Sequence, residues 1–141
     1  MVKKFRSTCI IASALDLIGD KWSLLIIRDM LLHKKISYKE IVSSEEGIAT
    51  NLLSTRLKLL LSYDIITKRK LPENKKENIY LLTEKGIDLA PLILEMVVWS
   101  DKYVRAYHTE MNVYETQNLN KSKVIKSVQK EYRKLVREII G

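Results

Sequence analysis

The fold predicted from the sequence is mainly α with a small β-hairpin wing, ordered as a winged helix-turn-helix, and three observations predict it. Between Ile36 and Leu82 the segments follow in a fixed order: a short helix, a Gly-containing turn, a Leu-rich helix and a basic hairpin. With residues placed about 100° apart around an axis, Leu53, Leu57, Leu60 and Leu61 share one arc of the Leu-rich helix, with Leu52 at its edge. Asn51, Ser54, Thr55, Lys58 and Ser62 share the opposite side, which holds no carboxylate. The third observation is the pair of strand-like runs that follows, Asp64 to Leu71 and Glu77 to Leu82. They contain Ile65, Ile66, Ile79 and Tyr80 and are joined by the polar segment Pro72, Glu73, Asn74, Lys75, Lys76.

The earlier elements are legible in order. Thr8 to Ile18 places Ile11, Leu15 and Ile18 at helical spacing, and Gly19 closes that helix. Asp20 caps a second helix whose buried side is formed by Trp22, Leu25, Ile26, Met30 and adjacent leucines. After the hairpin, Thr83 caps a further helix, with Glu84 at its positive end, and Pro91 interrupts or kinks it. Beyond Pro91, Leu94, Val97, Val98, Asp101 and Val104 recur at spacings of three and four, with Trp99 and Tyr103 adding bulk.

The segment Lys121 to Ile140 carries an apolar stripe of Val124, Val128, Tyr132, Leu135 and Ile139. Lys123, Lys126, Lys130, Arg133, Lys134 and Arg137 occupy its other sides. Three roles compete: extension of a dimer interface, a basic surface for DNA, or a helix lying on a membrane. The first is favoured, because a regular apolar stripe most often finds protein to cover it.

The 141 residues suffice for one domain with a core, and 4 Gly and 2 Pro in a chain that is 46% hydrophobic suit a folded, largely helical protein. A formal net charge of +8 and a pI near 9.5 imply an acidic partner, with nucleic acid first and an anionic membrane surface second. No apolar run approaches bilayer-spanning length, and the stretch after Lys3, Lys4 and Arg6 is too short and too quickly followed by Asp16 for a secretory signal. A single cysteine cannot close an internal disulfide and suits a reducing cytoplasm.

Several spaced phrases together resemble the HxlR-type winged-helix transcriptional regulators. They are Cys9 near the N-terminus, Asp16 to Trp22 (DLIGDKW), Tyr38-Lys39-Glu40-Ile41, the Gly47 to Leu57 helix, Leu82 to Gly86 (LTEKG) and Trp99. The resemblance spans roughly the first hundred residues. It departs at Ile10, where relatives often carry Pro, at Ala49 and Thr50, where a Ser-type cap is common, and at Leu59, often acidic in relatives. It implies a homodimer built from the N-terminal and post-wing helices. Residues 1–107 would form the winged helix-turn-helix with its dimerisation helices, and 108–141 a C-terminal helical extension.

The implied function is sequence-specific binding of double-stranded DNA at an inverted repeat, with repression preferred because a small dimer without an activation domain most simply occludes a promoter. Cytoplasmic, nucleoid-associated localisation follows. Thr50, Asn51, Ser54 and Thr55 are the candidates for base-edge contacts, Asn51 being best suited to adenine. Lys58, Lys68, Arg69, Lys75 and Lys76 are candidates for phosphates. Arg56 joins them, unless its stem packs on the core with its head in water.

Cys9 is either a small buried hydrophobe or a thiol sensor. The second reading has Lys3, Lys4, Arg6 and the helix N-terminus favouring a thiolate that meets oxidants or electrophiles. Some members of the resembled family sense in this way through their N-terminal Cys. His33 and His108 lie far apart, and no Gly-rich phosphate loop, nucleophile elbow or paired cysteines occur, so neither an enzyme, a cofactor nor a metal site is expected. Glu45 and Glu46 suit the N-terminus of the helix that follows them. Two rivals remain at this stage. One is a winged-helix module that binds an acidic protein instead of DNA, and the other a MarR-like regulator with an effector pocket between dimer helices.

Overall fold

The computed structural model describes residues 4–114, 116 and 118–141. The element order is α1 (Ile10–Ile18), α2 (Ser23–Leu31), α3 (Tyr38–Val42), α4 (Thr50–Ser62), β1 (Ile66–Leu71), β2 (Asn74–Leu82), α5 (Glu84–Ile87), α6 (Ala90–Tyr103) and α7 (Lys121–Ile140). Two compact units result, one through Ile87 and one from Asp88. The second unit holds α6, which packs with α7.

The first unit is a winged helix-turn-helix. Ile26, Ile27 and Met30 of α2, Ile41 of α3, Leu53, Leu57 and Leu60 of α4, and Ile66, Ile79 and Leu81 of the hairpin form its buried core. Leu61, expected among them, is only half-buried. The strands pair antiparallel from Ile66↔Leu82 to Lys70↔Asn78, and the Tyr80 amide donates to the Ile36 carbonyl at 2.7 Å, adding a strand-like contact on the far side of β2.

Several local expectations shift by a residue or two. Asp20 serves α2 from two positions before the formal cap: its carboxylate accepts the Trp22 and Ser23 amides at 3.0 and 2.9 Å and the Ser23 hydroxyl at 2.5 Å. Burial raises the Asp20 carboxyl, but these bonds, with Arg56 nearby, outweigh it and hold the group below the usual range. Thr83 does not cap α5 with its side chain. Its hydroxyl donates to the carbonyls of Asp64 and Ile65, at 2.5 and 3.1 Å, while Lys85 Nζ donates to Tyr63 O at 3.2 Å. The Leu82–Gly86 phrase thus fastens the base of the hairpin, and at Gly86 a Cβ would collide with the Ile65 carbonyl. Pro91 starts a helix instead of kinking one, since in the first turn of α6 its missing N–H leaves no bond unmade.

In the second unit Asn120 caps α7 by accepting the Lys123 amide at 3.1 Å. Tyr132 is fully buried, and Val124, Val128, Leu135 and Ile139 are half-buried. Arg105 ties down the segment after α6, pairing with Asp101 at 2.6 Å and donating to the carbonyls of Met111 and Asn112. Two apolar stripes stay exposed, one in each unit: Ile10, Ile11 and Leu15 on α1, and Leu92, Met96, Trp99 and Tyr103 on α6. Among the described residues no helix is long and apolar enough to cross a membrane.

Candidate nucleic-acid interface

The site is built on α4 and the hairpin, both within the first unit. The turn before α4 is formed by Gly47 at φ +70°, a backbone conformation that side chains disfavour and glycine adopts freely. Its neighbour Glu46 does not face the helix start. It takes a two-pronged ion pair from Arg28 of α2, with oxygens 2.8 and 3.2 Å from the guanidinium nitrogens, and accepts the Ser44 hydroxyl at 2.5 Å. Those bonds hold the Glu46 carboxyl down at about 2 and push the Arg28 guanidinium up. Arg28 also grips buried Asp29 at 2.6 Å, so the turn is anchored to α2.

At the start of α3, Ser37 and Glu40 form a reciprocal capping box: the Ser37 hydroxyl accepts the Glu40 amide at 3.1 Å, and Glu40 accepts the Ser37 amide at 3.1 Å. Burial raises the Glu40 carboxyl, but the amides of Ser37 and Ile36 outweigh it and hold it low. The next residue, Tyr38, reaches α4: its hydroxyl donates to the Thr50 carbonyl at 2.9 Å and lies 3.3 Å from the Ser54 hydroxyl. Sequence reading placed Tyr38 in a helix but missed this support role. The available signal was an aromatic residue with a hydroxyl at the start of the helix preceding α4.

Ala49, the residue before α4, offers no side-chain bond to the first turn, so the cap is weaker than a Ser or Asp would make it. Thr50, Asn51, Thr55 and Lys58 are exposed, and Ser54 is half-buried beside Tyr38. The Thr55 hydroxyl donates to the Asn51 carbonyl at 2.9 Å, which uses its proton and leaves it an acceptor. The Asn51 carboxamide has no hydrogen-bond partner among the described residues, so both its donor and its acceptor remain available to a base edge. Arg56 stands apart from the other cations. Half-buried, it pairs through Nε with Asp20 at 3.2 Å, at an angle too poor for a hydrogen bond, and so ties α4 to the start of α2.

The hairpin differs from expectation at its tip. The turn is only Pro72-Glu73, and Lys75 and Lys76 lie inside β2, at a register shift where Lys70 faces Asn78 but Leu71 faces Asn74. Lys68, Arg69, Lys70, Lys75 and Lys76 are all exposed. Of the nearby carboxylates, Glu77 accepts a bond from Asn74 at 3.2 Å. The result is a firmly seated helix whose outer face is free of carboxylates and hydrogen-bonding, with Lys58 its one cation, beside a hairpin that carries five exposed cations.

Cys9 lies outside this interface. It is exposed and not packed as a small hydrophobe, and it caps α1, its Sγ accepting the Ala12 amide at 3.5 Å. Arg6 is drawn off to buried Asp16 at 2.5 Å, and Lys3 lies outside the described residues. His33 and His108 are both exposed. No group of three or more metal-ligating side chains gathers among the described residues.

Residues 17–108 match the HxlR-like helix-turn-helix family. The HTH-type transcriptional regulator YodB of Bacillus subtilis is 37% identical over 91 residues, covering 64% of this chain and 80% of YodB. An uncharacterized HTH-type transcriptional regulator of Mycobacterium tuberculosis, Rv3095, is 29% identical over 94 residues, 67% of this chain and 58% of that protein. Among solved structures, the putative transcription factor PA1607 superposes with a TM-score of 0.66 at 33% identity, covering 77% of this chain and 73% of its own. YodB in its reduced form superposes at 0.57 with 35% identity, covering 69% and 95%. Its quinone-bound form superposes at 0.57 with 33% identity, covering 68% and 100%.

Proposed function

Because the chain belongs to the HxlR-like helix-turn-helix family and is thus a DNA-binding transcriptional regulator, we propose that it acts as a homodimer that reads an inverted repeat and represses by occluding a promoter. The observation that carries this reading is the exposed face of α4. It is free of carboxylates, held in place by Tyr38, and flanked by five exposed cations on the hairpin. A neutral hydrogen-bonding face suits base edges in a major groove, whereas cations suit phosphates. In the proposed division Thr50, Asn51, Ser54 and Thr55 meet bases, and Lys58, Lys68, Arg69, Lys75 and Lys76 meet phosphates. Arg56, occupied by Asp20, is left to position α4.

Dimerisation supplies cover for the apolar stripes on α1 and α6, which are too large and too regular to be scattered surface residues. Two α4 helices would then sit about one helical turn of DNA apart. Residues 109–141 extend the chain past the family segment, which ends at 108.

Cys9 is proposed as the sensor. Its exposure and its place at the positive end of α1 support the role, as does the relative YodB, known in reduced and quinone-bound states. The thiolate would add to an electrophilic quinone carbon, forming an S–C bond while the ring takes up the electron pair and a proton to become a hydroquinone. Selection of bound sequences from a random duplex pool, with reduced protein, tests the first part. An enriched inverted repeat is expected, and binding without enrichment would favour an acidic-protein partner instead. Quinone should then release the wild-type protein from that repeat and leave Cys9→Ser bound. Equal release of both would remove Cys9 from the mechanism.

A further inference from the structure

The C-terminal helix α7 carries a feature that the recognition unit does not explain. Its twenty residues hold seven cations and two carboxylates, a large part of the chain's net charge of +8. Five of the cations, Lys123, Lys126, Lys130, Lys134 and Arg137, follow at steps of three and four. At about 100° per residue they fall within an arc of about 80°, and from first to last they run about 21 Å along the axis. All five are exposed, and none enters an ion pair among the described residues. Lys121, off this arc, pairs with Glu95 at 2.8 Å.

The helix is therefore two-sided, and its apolar side is already used. Tyr132 is fully buried, and Val124, Val128, Leu135 and Ile139 are half-buried where α7 packs with α6. A helix that lies in a bilayer surface must offer its apolar face to the lipid, and this one has spent that face inside its own unit. A protein partner is a poor match too, since protein interfaces centre on aromatic or apolar anchors and are depleted in Lys, while this stripe offers only cationic heads. An unbroken row of point charges on flexible stems fits a regular polyanion. The stripe's length corresponds to about six phosphate steps along one DNA strand, at about 3.4 Å each.

We propose that the outer face of α7 is a second DNA-contacting surface, which binds the phosphate backbone of the same duplex without reading its sequence. This rests on the DNA-binding reading of the first unit and adds to it. A second site on the same chain would act as a tethered one wherever both engage one duplex, so that even weak phosphate contacts add to the total affinity. The contacts carry no base information, so they lengthen the protected region and strengthen binding to every sequence alike.

The test changes Lys123, Lys126, Lys130, Lys134 and Arg137 together to Gln in the full chain, and separately changes the four lysines to Arg. Dissociation constants are measured for the selected repeat and for a random duplex over a range of salt. In the Gln variant the slope of log Kd against log salt should fall by about 2 to 4, at about 0.9 per phosphate lost, with the preference for the repeat unchanged. The Arg variant should keep the wild-type slope. Helix content and dimer state guard against misfolding, and a misfolded Gln variant is replaced by one carrying only Lys126→Gln and Lys130→Gln, with a slope change of about 1 to 2 expected. An unchanged slope overturns the proposal while leaving the recognition unit intact, and absence of any salt-sensitive binding by the wild type overturns both. Co-sedimentation with phosphatidylglycerol vesicles that the Gln variant alone loses, at an unchanged DNA slope, would assign the stripe to membranes instead.

Discussion

Helices α4 and α7 use the same sequence device, an apolar stripe at helical spacing, and differ in what stands on the opposite side. The outer face of α4 carries mostly short neutral groups, with Lys58 its one cation, on a helix that neighbouring side chains hold in place. Tyr38 braces its first turn, Thr55 bonds back to Asn51, and Arg56 ties its middle to Asp20. The outer face of α7 carries five long cationic side chains that no neighbour holds. Base recognition needs donors and acceptors at set positions, whereas phosphate attraction acts at longer range and tolerates mobile charges. Periodicity alone tells the two helices apart only as amphipathic, and the chemistry of the outward residues assigns the work.

The largest expected effect breaks what the helices share, their buried side. Leu53 is fully buried in α4, and Leu53→Ala should lower the unfolding free energy by about 2–5 kcal/mol in chemical denaturation. A loss below about 1 kcal/mol would mean that α4 is not seated on α2 and the hairpin as described.

A smaller effect sharpens the difference on the outward side. Asn51→Ala should cost about 1–3 kcal/mol of binding, confined to one or two base positions of the repeat. Changing Lys75 and Lys76 to Ala should weaken repeat and random duplex together and reduce the salt slope by about 2, at about 0.9 per phosphate. Competition binding against a panel of singly substituted repeats reads both. If Asn51→Ala weakened every member of the panel equally, α4 would be gripping backbone and its contrast with α7 would vanish.

Most of the fold was legible because it rests on patterns that burial enforces. The Leu arc of α4 and the short apolar runs Ile65-Ile66 and Ile79 to Leu82 at the base of the hairpin have few alternatives once they must leave water. What escaped were contacts between residues distant in the chain. Arg28 reaching Glu46, Arg56 reaching Asp20 and Thr83 reaching the Asp64 carbonyl are side-chain choices that spacing does not fix. Glu46 therefore read as a helix-end charge, Thr83 as a cap and Arg56 as a phosphate ligand. The hairpin tip was misplaced because Pro72 to Lys76 is polar throughout, and the register shift after Lys70 leaves no mark in polarity. Exposure of Cys9 was likewise hidden, since a thiol beside Ile10 and Ile11 is equally compatible with a packed or an open helix end.

The smallest effect concerns the turn that presents α4. With its carboxyl held at about 2 against an ordinary 4.5, Glu46 binds its proton less readily folded than unfolded. Its contribution is thus complete above about pH 4.5 and disappears as the pH falls through about 2. The pair with Arg28 is partly exposed, which limits the contribution to about 1 kcal/mol or less. Glu46→Gln should therefore be slightly less stable than wild type at pH 7, with the gap narrowing as the pH is lowered from about 4.5. Asp20 and Glu40, whose carboxyls are also held below the usual range, are present in both proteins, so urea midpoints compared between wild type and Glu46→Gln isolate the pair. A gap that stayed constant down to pH 3 would mean that Glu46 acts through packing and not through its charge. The charge of the Arg28–Glu46 pair would then drop out of what holds α4 in place, leaving Tyr38 and the Arg56–Asp20 pair.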